Sequence, residues 1–267
     1  MGEYRVARSR LLRAKEHGER LAQLWNDIPT DYLLTPKAII APDGDGVLIA
    51  ENVGVIPDSL SLLFGEMLYQ LRATLDACVY QAAINITGND PPPDERSYAF
   101  PITENPIEWK KLAKRRLSKF PQAMQDGISK IQPFNTPKLP GQELVMNMNR
   151  SLGTLDKWAS KDRHRTLHIV GSSPISIDPR FDLPEGVTLD SLEIAPPSVI
   201  REGALLATFR LKGFVNGMRF PMNPQMRTNF GCDEPPPPCD PTDTLDRRVV
   251  GMLNTVHSVI CAFEKHI

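Results

Sequence analysis

The sequence predicts an α+β fold, in which a helical bundle is packed with a small antiparallel β-sheet. Three observations predict it. Segments with apolar residues at helical spacing fill most of the chain up to Asp162 and return at its end. Shorter segments of strand length lie between them. Neither an internal repeat nor a clear linker divides the 267 residues, so we expect a single domain over 1–267.

Composition and motifs exclude several classes of protein. Hydrophobic residues make up 41% and charged residues 24% of the chain, which excludes a wholly disordered protein. A net charge of -1 argues against a protein that coats nucleic acid through bulk electrostatics. The pattern indicates neither a signal peptide nor a membrane segment, so we expect a cytoplasmic protein. The motifs of P-loop NTPases, dinucleotide oxidoreductases, α/β-hydrolases and zincins are absent, and we expect no cofactor.

The N-terminal region is predicted to form a helix and a hairpin. The helix spans 3–26, where apolar residues recur every three or four positions, and Pro29 ends it. Strands over 31–40 and 47–56 follow, and the turn sequence Asp43-Gly44-Asp45-Gly46 joins them. The apolar stripe of the helix comprises Tyr4, Ala7, Leu11, Ala14, Gly18, Leu21 and Trp25.

Helical periodicity continues through the middle of the chain and returns at its end. A long helix is predicted over 59–87, and shorter ones over 107–119, 121–131 and about 141–160. The last helix is expected to begin near Asp243 or Thr244. The stripe of the long helix comprises Phe64, Leu68, Leu71, Leu75, Val79 and Ala82, and that of the last helix Val249, Leu253, Val256, Ile260 and Phe263.

Strand-length segments follow Asp162. Strands are predicted over 165–170, 188–195, 198–200 and 204–212, with a turn at 201–203. The Pro-rich segment 221–241, with four consecutive prolines, is predicted to be a loop.

The four cysteines fall into two pairs. Cys78 and Cys261 lie in apolar helical patterns and are expected in the core. Cys232 and Cys239 lie in the Pro-rich segment without the C-x2-C spacing of a zinc site, so their role stays open.

Four polar residues of the long helix form the first candidate site. Tyr69, Arg72, Asp76 and Tyr80 are spaced by 3, 4 and 4 positions, so they share one stripe at the edge of the apolar one. Charges there need partners, because burying an unpaired charge is costly. Arg72 and Asp76 are predicted either to pair and lock a packing interface, or to line a polar pocket that holds a phosphate or carboxylate.

The second candidate site is the segment from Asp162 to Arg165, at a predicted junction between helix and strand. His164 suits general acid or base catalysis near neutral pH, and Arg163 or Arg165 can hold an anion. The alternative is a turn locked by Asp162 and Arg165, with an exposed histidine. Adding His168 would give three metal ligands, but nothing in the sequence fixes their geometry, and no metal is predicted.

Four segments resemble, in order, an uncharacterised bacterial protein family. That family carries G-E-x-L-H-N-L-R-S-A-L-D-H, then Q-P-Y, then D-K-H-R. The stretch from Gly65 to Tyr80 corresponds to the first motif, Gln132-Pro133-Phe134 to the second, and Asp162-Arg163-His164-Arg165 to the third. Phe100-Pro101-Ile102 falls between the first two, so the resemblance covers about 59–170.

The segment around Arg72 also resembles the R-x4-6-H motif of HEPN domains, which are helical, often dimeric and include metal-independent ribonucleases. The resemblance implies that Arg72 is the motif arginine. The motif histidine falls at Ala77, and Tyr69 stands at the family's other histidine. The resemblance therefore implies either that His164 substitutes as the base or that the protein binds RNA without cleaving it.

The lead hypothesis is an intracellular bacterial protein that binds or cleaves RNA, or binds another phosphate-bearing ligand, through this polar site. As an enzyme it would be a metal-independent ribonuclease with catalytic Arg72, Asp76 and His164. The expected binding residues are Asp162, Arg163, Arg165, Tyr69 and Tyr80.

Two other hypotheses stay open. A non-catalytic interaction module would use the stripe from Tyr4 to Trp25 and the C-terminal helix for homodimerisation or partner docking. A small-molecule or nucleotide-binding protein would instead show ligand-dependent thermal stabilisation.

Overall fold

The computed structural model describes residues 4–136, 143–164, 169–178, 182–195, 201–219, 225–232 and 245–266. It combines α-helices with antiparallel strands, so the predicted α+β class is confirmed. Two compact units divide the chain: unit 1 comprises 1–21, 61–167 and 246–267, and unit 2 comprises 22–60 and 168–245. The single domain expected over 1–267 stays a prediction.

The helices and strands alternate along the chain. The helices are α1 (Arg5–Asn26), α2 (Thr30–Leu33), α3 (Asp58–Thr87), α4 (Pro106–Arg116), α5 (Gln122–Lys130), α6 (Glu143–Asp162) and α7 (Leu245–His266). The strands are β1 (Leu34–Ile40), β2 (Asp45–Val53), β3 (Ile169–Asp178), β4 (Thr188–Ile194), β5 (Leu205–Lys212) and β6 (Gln225–Cys232). Among the described helices, none has both the length and the apolar character that crossing a membrane requires.

The helices predicted from periodicity are confirmed, and most residues of their apolar stripes are buried. The six stripe residues of α3 are fully buried, as the pattern of α3 predicts. α4 begins with Pro106 at its first position. The side chain of Asn105 caps it by accepting hydrogen bonds from the backbone N–H groups of Ile107 and Glu108. Cys78 is buried as expected, whereas Cys261 is only partly buried.

Three predicted segments need correction. The strand predicted over 31–40 begins only at Leu34, because the chain first forms the single turn of α2. β3 continues to Asp178, well past the predicted end of its strand, and shifts register around Pro174. The segment predicted as a Pro-rich loop contains β6, whose residues 225–232 include no proline. The predicted strand over 198–200 and Cys239 lie outside the described residues.

Unit 2 contains a four-stranded antiparallel sheet in the order β1-β2-β5-β4 and a separate β3-β6 pair. The predicted β1-β2 hairpin is confirmed, with Ile40 opposite Gly46 at its turn. Gly44 adopts φ +90 in this turn, and a Cβ there would lie 2.3 Å from the Leu211 carbonyl oxygen, so only glycine fits. The core of the sheet comprises Leu34, Leu48, Ala50, Val187, Leu206, Ala207, Phe209 and Leu211.

Unit 1 is helical, and its core forms around α3. The Phe64 ring of α3 meets the Trp158 ring of α6 edge to face, with centroids 5.6 Å apart. Tyr4, at the start of α1, meets Phe263 of α7 in the same way at 6.2 Å. Arg8 of α1 binds Glu264 of α7 through two hydrogen bonds. Most residues of the α1 and α7 stripes are thus buried within one chain, and the homodimer stays a prediction.

A buried amide ties the segment after Phe100 to α5. Gln132, fully buried, accepts a hydrogen bond from the Thr103 N–H at 3.1 Å and donates one to the Pro101 carbonyl at 2.9 Å. Its own carbonyl accepts a hydrogen bond from the buried Asn149 side chain of α6. Gln132 therefore satisfies backbone groups of a non-regular segment that water does not reach.

Replacing Gln132 with alanine is expected to destabilise the protein by about 3 kcal/mol, because it leaves the Thr103 N–H and Pro101 carbonyl without these partners and opens a cavity. Urea unfolding measures the change. Gln122→Ala, at an exposed position of α5, is the matched control and should cost less than about 0.5 kcal/mol. Equal effects of the two substitutions would contradict the role of Gln132.

Candidate functional site

The Arg72–Asp76 ion pair of α3 forms hydrogen bonds with both backbone groups of Phe100. The Nη1 of Arg72 donates to the Asp76 Oδ1 at 2.7 Å, and its Nη2 donates to the Phe100 carbonyl oxygen at 2.8 Å. The same Asp76 oxygen accepts the Phe100 N–H at 2.8 Å. Helical spacing of four residues places the two charges side by side, so the pair presents one donor and one acceptor to a single residue. We call this arrangement the Phe100 clamp.

Further charges surround the Phe100 clamp. The Arg72 Nε lies 3.5 Å from the Asp156 Oδ1 of α6. Burial raises the pKa of the Asp156 carboxyl, and the positive charge of Arg72 opposes this shift only in part. Burial likewise lowers the pKa of the Arg116 guanidinium at the end of α4, and the neighbouring positive charges of Arg115 and Arg72 lower it further. The guanidinium of Arg72 is therefore occupied by structural partners.

The polar face of α3 forms the floor of a cleft of about 660 Å³ in unit 1. Small side chains at Ala73 and Ala77 keep the floor open between its larger polar residues. The walls come from the start of α1, the segment near Tyr98 and the end of α6. The residues that line the cleft include Arg10, Gly65, Tyr69, Arg72, Asp76, Ala77, Tyr80, Asp90, Tyr98, Asp162 and Arg163.

Gly65 allows the end of α6 to approach the floor. A Cβ at this position would lie 2.4 Å from the Asp162 Oδ2, a distance that atoms do not reach. Any larger residue would push the Asp162 carboxylate aside. The glycine of the first motif thus has a physical reason, because it brings the segment beginning at Asp162 against α3.

The three arginines of the cleft differ in their partners. Arg72 is held by the Phe100 clamp, whereas Arg10 donates to the Gln70 side-chain oxygen at 3.2 Å. The Arg163 side chain is exposed. Within the described residues, neither Arg10 nor Arg163 has a carboxylate within ion-pair distance, although at longer range the charge of Arg163 acts to lower the pKa of Asp156. Their guanidinium groups therefore keep donors that an anion can use.

The charges are distributed unevenly along the floor. Arg10 is bonded to Gln70, so it lies toward the N-terminal part of the floor, whereas the charge of Arg163 acts on Asp156, which lies beside Arg72. Asp90 lines the opposite part, beside Tyr80. Burial raises the pKa of the Tyr80 hydroxyl, with smaller contributions from the negative charges of Glu95 and Asp90. The part of the floor near Asp90 is thus the poorer place for an anion.

The structure brings most of the predicted site residues together. Tyr69, Arg72, Asp76 and Tyr80 line the cleft, and Asp162 and Arg163 line it from the second candidate segment. His164 is exposed and is not among the lining residues, whereas Arg165 and His168 lie outside the described residues. Among the described residues, no group of three or more histidines, cysteines or carboxylates could hold a metal ion.

Sequence reasoning missed two contributors to the cleft. Arg10 is one of several basic residues on the polar faces of α1, and nothing in the pattern separates it from the others. Tyr98 comes from a segment predicted only as a loop, and its ring packs edge to face on Phe120 with centroids 6.2 Å apart. The available signal was compositional, since four of the five tyrosines of the chain line this cleft.

Comparisons of the chain with protein-family models, with curated proteins and with solved structures return no match. The family resemblances drawn from the sequence therefore stay predictions, and the function has to be argued from the geometry of the cleft.

Arg72→Ala is expected to lower the free energy of unfolding by about 2 kcal/mol, because it leaves the Phe100 carbonyl and the Asp76 carboxylate without their charged donor. Arg163→Ala, in the same cleft, should change it by less than about 0.5 kcal/mol. Chemical denaturation of both variants checks the difference. A stable Arg72→Ala protein would show that the Phe100 clamp is dispensable.

The raised pKa of Asp156 makes the stability of the folded protein decrease as the pH rises. Because its pKa is raised in the folded state, the native protein keeps this proton to a higher pH than the unfolded chain. The protonated carboxyl of Asp156 therefore stabilises the folded protein fully at a pH below the pKa of the unfolded chain. This stabilisation is lost as the pH rises through the raised pKa of the folded protein. Asp156→Asn mimics the protonated form, so its stability relative to the unchanged protein should rise as the pH rises above about 4. Denaturant titrations across this range measure it, and a constant difference would contradict the shift.

Proposed function

We propose that the cleft of unit 1 binds a phosphate-bearing ligand, with Arg10 and Arg163 as the phosphate contacts. The observation that carries this proposal is that both guanidinium groups line one cleft and, among the described residues, neither has a carboxylate within ion-pair distance. Arginine donates two parallel hydrogen bonds to a phosphate, and hydrogen bonds to charged groups contribute about 1.5–3 kcal/mol each. The volume of about 660 Å³ lies in the range of small-molecule sites.

Binding is better supported than cleavage. The HEPN resemblance puts histidines at Ala77 and Tyr69, and both positions line the cleft together with Arg72. Neither side chain supplies an imidazole, and His164 is not among the lining residues. Arg72 acts as a positioning residue, since its donors are used by Asp76 and Phe100. Among the described residues, the ribonuclease hypothesis therefore lacks an imidazole in the cleft, whereas binding of RNA or of a smaller phosphate-bearing ligand needs none.

Two further predictions belong to this proposal. A cytoplasmic location in a bacterium would give the cleft access to RNA and to phosphorylated metabolites. A homodimer would have to use surfaces other than the buried stripes of α1 and α7, so binding is proposed for the single chain.

Alanine at Arg163 or at Arg10 is expected to weaken binding of adenosine monophosphate by about 10-fold or more, because each change removes a charged donor. Asp162→Asn removes a negative charge from the same end of the cleft and should strengthen binding. Isothermal titration calorimetry with the full chain measures all three affinities.

The matched controls are Arg5→Ala on α1 and Lys157→Ala on α6, because both residues are exposed and neither lines the cleft. Their affinities should stay within about twofold of the unchanged protein, apart from a weak long-range effect of net charge. Equal losses in controls and cleft variants would show non-specific attraction and would overturn the proposal.

A further inference from the structure

Resting on the proposed function, we infer that the ligand is a nucleotide unit whose base stacks on Tyr69 while its phosphate lies between Arg10 and Arg163. The inference starts from the exposure of this ring. Tyr69 is 59% exposed although it lies in the middle of a helix whose neighbouring stripe is fully buried. Its ring lines both the cleft and the adjoining groove that contains Arg13 and His17.

The position of Tyr69 relative to the two arginines carries the inference further. Gln70, the next residue, holds Arg10, and Gly65, one helical turn earlier, packs against Asp162 before Arg163. The ring therefore lies next to the residue that holds Arg10, on the part of the floor approached by the end of α6, which carries Arg163. An aromatic face beside a phosphate site is the arrangement that nucleotide-binding surfaces use, because every base has a π-face and every nucleotide has an adjacent phosphate.

The other tyrosines of the cleft are less suited to stacking. Tyr4 and Tyr98 are buried, and their rings pack on Phe263 and Phe120. Tyr80 is partly buried and lies in the part of the floor near Asp90, where a phosphate would be repelled. Tyr69 is thus the tyrosine of this cleft that combines an exposed face with neighbouring cations.

The charge near Tyr69 also limits where the phosphate can lie. The carboxylate of Asp162 borders the same end of the cleft at Gly65, and Glu66 lies 3.4 Å from the His17 Nδ1 in the adjoining groove. Glu66 lines the groove but not the cleft and disfavours a phosphate in the groove, whereas Asp162 borders both. The base is therefore placed over the ring and the phosphate on the cleft side, toward Arg10 and Arg163.

The experiment compares two phosphate-bearing probes that differ only by the base: adenosine monophosphate and ribose phosphate. Tyr69→Ala should weaken adenosine monophosphate binding by about 10-fold, since stacking on an aromatic residue contributes about 1–3 kcal/mol per base. Ribose phosphate binding should stay within about twofold. Tyr69→Phe keeps the stacking face and should bind both probes like the unchanged protein.

Tyr32→Ala is the matched control, because Tyr32 is 53% exposed and belongs to unit 2. A hexa-adenylate strand forms a third arm. If the strand binds more tightly than adenosine monophosphate and Tyr69→Ala removes the difference, the ligand is a nucleotide unit within RNA. If the two probes bind with equal affinity, the ligand is a free nucleotide. Both results agree with the inference.

Two results overturn different claims. If adenosine monophosphate and ribose phosphate bind equally and Tyr69→Ala weakens neither, the stacking inference fails while the phosphate site stands. If no probe binds, or if all bind independently of Arg10 and Arg163, the proposed function fails with it. Thermal unfolding of Tyr69→Ala should match that of the unchanged protein, since an exposed side chain contributes little to stability.

Discussion

The structure of unit 1 depends on one interaction, the Phe100 clamp. A residue outside regular structure must find partners for both of its backbone groups when water is excluded. Phe100 is fully buried, and the Arg72–Asp76 pair supplies a donor and an acceptor at once. With its backbone satisfied there, the Phe100 ring can pack near Phe263 of α7, with centroids 6.5 Å apart. The segment between α3 and α4 is thereby fixed to two helices, and the walls of the cleft are fixed with it.

The separated sequence motifs meet in space, and each described one has a structural task. Gly65 lets the end of α6 approach α3, and Gln132 holds the backbone on either side of Ile102. Pro133 packs against Gly153 of α6, where a Cβ would lie 3.3 Å from the proline ring. Such residues build the frame of a cleft rather than its chemistry. A match to these motifs therefore predicts the shape of unit 1 better than it predicts an activity.

Local patterns in the sequence predicted the parts of the molecule that local physics determines. The stripe of α3 and the pairing of Arg72 with Asp76 follow from helical spacing. The third partner, Phe100, is 28 residues from Arg72, and no periodicity connects the two. The same limit applies to Arg10, 60 residues from the Gln70 that holds it. The sequence analysis missed β6 for another reason. Prolines on both sides of it made the whole segment 221–241 resemble a loop, although the eight residues of β6 contain no proline.

The arginines of the cleft have two different roles: Arg72 holds the fold together, whereas Arg10 and Arg163 keep donors for a ligand. An arginine whose donors are taken by a carboxylate and a carbonyl is rigid, and the energy of its hydrogen bonds already belongs to the fold. An anion would have to displace those partners before it could bind there. An arginine without a carboxylate partner is still hydrated, so it exchanges water for phosphate at little structural cost. Arg72 therefore shapes the cleft, whereas the phosphate binding that we propose for the cleft depends on Arg10 and Arg163. In the proposed complex, ordering the exposed Arg163 side chain would cost conformational entropy, and stacking of the base on the Tyr69 ring would offset that cost.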